Sequence, residues 1–468
     1  MSAIAIYRQL TVLPAKRPVL PSDVRILPGL RVQRSCNPKA PGPGQEKTII
    51  SRVFPMTKSQ RVANSPVVIF AAAACTRLAA SIYILTKSYS PQRLFIGNEP
   101  SHIAAALVSG SGFASPYAHT PIMLTAQQPP LYPFFLAGIF KVFGIYTAHS
   151  AWTIVAFHIL AGSFTAVVIH RLGRLYFGQT AAMLGGWLWV FPWMFQVRTL
   201  IVSLTNSYFA ALGFGVLLIW LLKAPRENRG WFAIGVYAGL LLLLQTSFLP
   251  VLLVYAICLA RSKARSAQMW FAVAGLFIVL APWILRNYVV LHRFVPIRDN
   301  FGLELWLGNR PEMHGTLDYS RDFPGNDPAR YIRLGETQFM DTKLTEALEY
   351  IMNYPKGFLV RCLHRVVEFW YVPYSLPFIL FPSLAWVGAA LVWKKHLSWL
   401  FITPLAMYPF VYYVTHMFAD YRYPIEPVIM LLAAHAIVDL SSRAFNRCFA
   451  SRAPIPSPFS DADGEVNS

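Results

Sequence analysis

Long apolar runs recur along most of the chain, separated by short basic stretches. They lie near 66–86, 149–170, 180–197, 200–222, 231–246, 247–260, 268–285, 375–393, 397–417 and 424–440. An α-helix needs roughly 20 residues to cross about 30 Å of hydrocarbon. The fifth and sixth runs are short and meet at Gln245-Thr246-Ser247. The pattern predicts an all-α polytopic membrane protein with about ten transmembrane helices.

Lysines and arginines at the run ends set the orientation. Arg171/Arg174, Lys223/Arg226/Arg229, Arg261/Lys263/Arg265, Lys394/Lys395 and Arg443/Arg447 fall on one side if the number of spans is even. Basic loops favour the cytoplasm, so both termini are expected there, in a plasma (inner) membrane. Two long segments are then left on the outer, periplasmic or exterior, face: 87–148 and 286–374. In the first, Ile103, Ala106 and Leu107 follow helical spacing. LYPFFLAGIFKVF at 131–143 is apolar but too short to span. Both are expected to be interfacial or re-entrant helices. The second segment carries a helical stretch near 340–353 and ends in a membrane-skimming section, FLVRCLHRVVEFWYVPY.

Composition agrees with a membrane location. Charged residues are 13% and hydrophobic residues 55%, against roughly 25% charged in soluble domains. Aromatics at 15% suit interfacial belts of Trp and Tyr. The net charge of +20 fits cytoplasmic anchors or anionic lipid phosphates, and no nucleic-acid partner is expected. Five scattered cysteines without a CxxC pair predict neither a disulfide framework nor a metal cluster. Residues 1–65 are rich in Pro, Arg and Lys, with Asp23 and Glu46 as their only acids. They are expected to be a disordered cytoplasmic tail. A start of translation at Met56, or an organellar transit peptide, are the competing explanations. Residues 66–440 form the membrane domain, and 441–468 a second cytoplasmic tail.

Three polar constellations fall on the outer face. Glu99 opens the first outer segment in GNEPSHIAAALV, with His102 three residues on and on the same helical face. Such a carboxylate can take a proton from an attacking hydroxyl or amine. Equally, an acid at that position is favoured by a helix N-terminus. Arg286 and Asn287 close an apolar run, and Arg298, Asn309 and Arg310 follow downstream. An arginine there can bind phosphate with two donors or snorkel to the headgroups. Gly302, Gly308 and Gly315 suggest close approach to a ligand or to another backbone. His416, Asp420, Arg422 and Tyr423 precede the last run. Arg422 is a second phosphate candidate, or an internal partner of Asp420 or Glu426. No P-loop, GxSxG, HExxH or Rossmann fingerprint occurs in a suitable context. That weighs against nucleotide-driven transport and against soluble-type hydrolases.

Several strings together resemble the GT-C superfamily of membrane glycosyltransferases. The likeness is to the bacterial branch related to protein O-mannosyltransferases and lipid A aminoarabinose transferases. GNEPSHIAAALVSGSGF followed by QQPPLYPFFLAGIFKVFG resembles that branch's acid-bearing loop and juxtamembrane helix. RLGRLYFG, PWILRNYVVLHRFVPIRDNFGLELWLGN and DYRYPIEP resemble later segments in the same order. The resemblance covers about 66–440. It implies inverting transfer of a sugar from a polyprenyl-phosphate donor to a lipid, protein or glycan acceptor. Carried over, Glu99 is the loop acid, with His102 beside it. Arg286, Arg298, Arg310 and Arg422 are candidates for the phosphate clamp. Asn98, Asn287, Asn309, His416, Asp420 and Tyr423 are candidates for the pocket. Some relatives hold a divalent cation at the loop acid.

The chain departs from that pattern at four places, one of them near His102, where the family often has a Tyr. Asn98-Glu99 stands where Asp-Glu is usual. Asn206 stands where many relatives carry Glu, and Thr246-Ser247 where many carry Thr-Arg. An O-antigen ligase or polymerase-like protein, a lipid-carrier transporter and a non-catalytic relative are the alternatives. The acid-bearing excursion at 87–148 weighs against the first. The gathering of polar groups at one face, rather than at the midplane, weighs against the second.

Overall fold

The computed structural model describes residues 58–450 except 89, 118–120, 192–203, 263–265, 311–326, 373–374 and 419. Gly315 and both tails beyond 450 and before 58 lie outside these residues. Among the described residues the chain is helical, with one isolated antiparallel bridge between Ala114 and Leu124.

Every apolar run carries a helix. Pro66 opens α1 (Pro66–Tyr83), where its missing N–H costs nothing. The first outer segment holds α2 (Glu99–Val108) and α3 (Leu131–Phe143). Thr147 caps α4 (Ala148–Tyr176) by accepting from the Ser150 amide. There follow α5 (Gln179–Val190), α6 (Ser207–Lys223), α7 (Asn228–Leu244), α8 (Leu249–Ala260) and α9 (Ser266–Leu291). The second outer segment holds α10 (Phe301–Asn309), α11 (Pro328–Leu334), α12 (Glu336–Asn353) and α13 (Pro355–Tyr371). The chain closes with α14 (Leu376–Val392), α15 (Trp399–Met407), α16 (Phe410–Val414) and α17 (Glu426–Ala450).

Among the described residues four helices are long and apolar enough to cross a membrane: α1 with its extension to Lys87, α4, α9, and Tyr423–Arg447. The bent pair α13 and α14 would make a fifth. Other runs form shorter apolar helices, including α3, α6 and α7. The chain is therefore an integral membrane protein. The run at 397–417 breaks into α15 and α16 around Pro409, and the run at 180–197 passes beyond the described residues after Phe191. The last helix continues to Ala450. Residues 441–450 are therefore helical, because polar residues compatible with a helix extend it past the apolar stretch.

Small residues let the spans approach closely, as membrane helices require. A Cβ at Gly235 of α7 would overlap the Ala272 carbonyl of α9, and one at Gly275 would overlap the Phe232 carbonyl in return. Most of α9 faces outward, exposing Trp270, Phe277, Ile278 and Leu285.

In the 87–148 segment, α2 and α3 share a core of Phe95, Ala104, Tyr132 and Phe140 with the start of α4. A second small core joins Tyr117 of the first segment to Leu303, Tyr331, Phe339 and Met340 of the second. The glycines of α10 meet other backbones, one of the two roles their sequence suggested. A Cβ at Gly302 would overlap the Met340 carbonyl, and one at Gly308 the Thr415 carbonyl. Gly308→Ala is expected to push α10 off the 413–416 segment at a cost of about 1–3 kcal/mol. A lowered melting temperature in lipid nanodiscs would report it.

Candidate functional site

Two outer segments build the site. In the first, Asn98 caps α2, its side-chain oxygen accepting from the Ser101 amide at 2.9 Å. Asn serves this role as well as Asp does. Glu99 follows in the first turn, set deep in the protein but not sealed from solvent. Its Oε2 accepts from Gln127 Nε2 at 3.4 Å and from Gln128 Nε2. Burial and then the charge of Glu304 push the Glu99 carboxyl up to about 7, against the pull of Gln128 and Arg298. A group poised there can both take and return a proton near neutral pH.

Arg298 comes from the second segment. Its Nε donates to the Gln127 carbonyl at 2.7 Å, and its Nη2 lies 3.5 Å from Glu304 Oε1. The side chain keeps 24% of its surface exposed, which leaves room for an anion. Glu304 also accepts from Asn300 at 2.5 Å, and its Oε2 lies 3.3 Å from His416 Nδ1. The His416 ring reaches the Tyr421 hydroxyl at 3.3 Å with its other nitrogen. Burial holds this imidazole below its usual range, with Glu304 acting in the other direction. The Tyr421 ring packs 4.6 Å from that of Tyr412. Asp420, whose carboxyl burial raises to about 6, acts electrostatically on Tyr412, as does Arg298. Glu99, Arg298, Glu304 and His416 thus belong to one polar cluster.

The other arginines are engaged elsewhere. Arg286 donates to the Thr125 carbonyl at 2.6 Å and to the Phe113 carbonyl at 3.0 Å, and stacks near Phe113 and Trp283. It clasps the paired chains around the Ala114–Leu124 bridge, rather than reaching to the headgroups. Arg310 lies over the Trp306 ring at 5.2 Å. Arg422 is buried and donates to Glu426 Oε1 at 2.6 Å, to the Phe369 carbonyl at 2.9 Å and to the Trp370 carbonyl. Of its two sequence readings, this geometry is that of the internal ion pair.

The remaining candidates have structural partners. His102 Nδ1 lies 3.1 Å from the Tyr146 hydroxyl. Asn287 is fully buried and ties the end of α9 to the Val295 carbonyl. Asn309, also fully buried, donates to the Leu305 and Val414 carbonyls. Tyr423 is buried between the Trp189 and Tyr208 rings.

Sequence reasoning missed Gln127, Gln128, Asn300 and Glu304. Two adjacent amides before Pro129-Pro130 carry no periodic signal. Glu304 carried one, since a lone acid in the apolar string FGLELWLGN needs a partner when buried. Glu336 was missed too. It is buried and accepts from the Ala126 amide at 2.6 Å and the Tyr331 hydroxyl at 3.0 Å. It therefore pins the residue next to Gln127. Asp299 sits beside it. Burial raises the Asp299 carboxyl to about 6, and burial with the charge of Asp299 raises Glu336 well above its usual range.

These raised values have a consequence for stability. The protonated pair is favoured in the fold, so its contribution is complete below about pH 4, the ordinary carboxylate range, and is lost as pH rises through about 6 and beyond. Melting temperature is expected to fall between pH 5 and pH 8, and Asp299→Asn to flatten that slope. An unchanged slope in Asp299→Asn would exclude the pair as its source.

A divalent cation is the cofactor that the sequence left open. Among the described residues no group of three or more His, Cys, Asp or Glu side chains is placed to hold a metal ion. Asn98 turns its oxygen to a backbone amide, and Glu99 Oε2 faces two carboxamide donors. The donor set does not fit a resident divalent cation, and no step below runs through one.

Residues 127–285 match the sequence model of the family described as dolichyl-phosphate-mannose-protein mannosyltransferase. No curated protein matches the sequence. Several solved structures superpose weakly, three of them as follows. ArnT from Cupriavidus metallidurans bound to undecaprenyl phosphate is 15% identical, with TM-score 0.46 over 82% of this chain and 62% of that one. The Archaeoglobus fulgidus oligosaccharyltransferase with Zn and sulfate is 15% identical, with TM-score 0.48 over 83% and 52%. AglB from the same organism, with an inhibitory peptide and a dolichol-phosphate, is 13% identical, with TM-score 0.47 over 84% and 52%. The chain spans less than two thirds of the length of each.

Proposed function

We propose that this chain, which matches the dolichyl-phosphate-mannose-protein mannosyltransferase family over residues 127–285, transfers a sugar from a polyprenyl-phosphate donor to an acceptor at the outer membrane face. The observation that carries the reading is the meeting of Glu99 and Arg298 on Gln127. It brings a proton acceptor and a cation within one polar cluster. In the proposed step Glu99 takes the proton from the acceptor hydroxyl or amine. The acceptor atom bonds to the anomeric carbon from the side opposite the phosphate. The bond from that carbon to the phosphate oxygen breaks, and the electron pair leaves with the lipid phosphate. Arg298 offsets the charge that develops there, a task suited to a guanidinium held in a site of low dielectric. One base and one cation suffice for a direct displacement with inversion, without a covalent sugar–enzyme intermediate.

Arg286 and Arg422 serve this reading as positioning residues. Arg286 holds the Phe113–Thr125 loop, and Arg422 fixes the start of α17 below His416. The active face is then the periplasm or exterior of a plasma membrane, with both termini in the cytoplasm.

Arg298→Gln tests the clamp. Loss of a charge-assisted contact is worth about 1.5–3 kcal/mol, or about ten- to hundred-fold. The expected result is a raised KM for a polyprenyl-phosphate sugar in membrane vesicles, with little change in melting temperature. An unchanged KM would remove Arg298 from donor binding. A ligase or polymerase-like protein would instead use a pyrophosphate-linked donor in the same assay. A transporter would move the carrier without breaking it.

A further inference from the structure

Helix α13 has two opposite faces. One is buried and reaches the site's supports. Arg365 donates to the Asn309 side chain at 3.3 Å, to the Gly308 carbonyl, and to the Tyr413 and Val414 carbonyls at 3.3 and 3.2 Å. Trp370 Nε1 donates to the Tyr413 hydroxyl at 2.8 Å. These partners belong to α10, which carries Glu304, and to the segment leading into His416. The other face is apolar and uncovered. Leu359 is 59% exposed, Val360 65%, Leu363 59% and Val367 45%, and the i, i+1, i+4 and i+8 spacing sets them in one stripe. Lys356 is exposed at the N-terminal end of the stripe and His364 beside it.

The stripe does not stand alone. α13 and α14 meet at 101°, and α14 exposes Leu376 and Leu380, continuing the apolar surface onto the helix that carries the apolar run at 375–393. A helix nearly perpendicular to a span lies close to the membrane plane. With a lysine at the end of an apolar face it meets the description of an interfacial helix, whose apolar side sinks about 5–10 Å below the headgroups.

We propose that α13 is seated in the headgroup–acyl boundary of the phospholipid leaflet on the Glu99 side. Its stripe contacts upper acyl chains, and Lys356 lies with the lipid phosphates. Through Arg365 this seating sets the level of Glu304 and His416 relative to the membrane surface. The inference does not depend on the sugar-transfer reading. It needs only the exposed stripe, the right-angle bend and the Arg365 contacts.

The test uses the full chain in phospholipid nanodiscs carrying diazirine lipids, with the group either just below the headgroup or at the chain end. After illumination, adducts are mapped by peptide mass spectrometry. The expected pattern is adducts on Leu359, Val360, Leu363 or Val367 from the shallow probe, with few from the deep one. Phe277 and Ile278 of α9 and Leu380 of α14 serve as internal controls, labelled in the same sample. Labelled controls with an unlabelled α13 would overturn the proposal. So would equal labelling of α13 by both probes, or chemical cross-links joining α13 of one copy to α13 of another.

Discussion

Glu99→Gln is expected to abolish sugar transfer while the protein accumulates in the membrane at its normal level. General-base assistance is typically worth ~10²–10⁴-fold. Gln keeps the shape and can still accept a hydrogen bond from Gln128, so folding is spared, but it cannot hold the acceptor's proton. The wild type should also show an acid limb. Burial and Glu304 raise the Glu99 carboxyl to about 7, so the carboxylate needed as base is depleted as pH falls through that value. kcat/KM is expected to rise tenfold per pH unit well below 7 and to level off above it. Full activity in Glu99→Gln, or a flat profile between pH 5 and pH 8, would exclude Glu99 as the base.

Arg422→Ala is expected to destabilise the protein rather than weaken donor binding. Arg422 and Glu426 are both buried, with Nε and Oε1 at 2.6 Å. Removing one partner of a buried pair costs about 3–5 kcal/mol, because the other charge is stranded. The double change Arg422→Met with Glu426→Leu should recover most of that loss, since apolar residues of similar volume replace such pairs at little cost. Melting curves of the single and double variants in nanodiscs check this. A raised donor KM in Arg422→Ala with normal stability would instead make Arg422 part of the clamp.

The contrast between Arg298 and Arg422 shows where sequence reasoning stopped. Both stand beside outer-face turns, and the chain alone ranks neither. Arg422 had a visible partner in Glu426, one helical turn away, and the structure uses it. Arg298 depends on Gln127 and Glu304, of which Gln127 belongs to the other outer segment. No local pattern reports a contact across that distance. Likewise Glu99 and His102 share a spacing, yet the imidazole contacts Tyr146 across the turn before α4. The helices were far more legible, because a membrane demands apolar runs of a given length. Their ends were less so where Pro409 breaks a run or polar residues extend one.

The departures from the family pattern also acquire a physical context. Asn98 caps its helix as an Asp would. Asn206 Nδ2 donates to Gln245 Oε1 at 3.0 Å, and Gln245 Nε2 lies 3.4 Å from Ser247 Oγ. Gln245 and Ser247 both bond Tyr412, at 3.0 and 2.7 Å. The two positions at which the resemblance implies a Glu and an Arg are thus joined in one neutral network, and neither leaves a buried charge without its counterpart.

Turnover of a defined donor tests the central claim most directly. The purified full chain in nanodiscs is supplied with polyprenyl-phosphate sugars and envelope acceptors, and free polyprenyl phosphate is measured by mass spectrometry. Release by the wild type, matched by a sugar-bearing acceptor and absent in Glu99→Gln, is the predicted result. No release from any such donor, or equal release by Glu99→Gln, would contradict it.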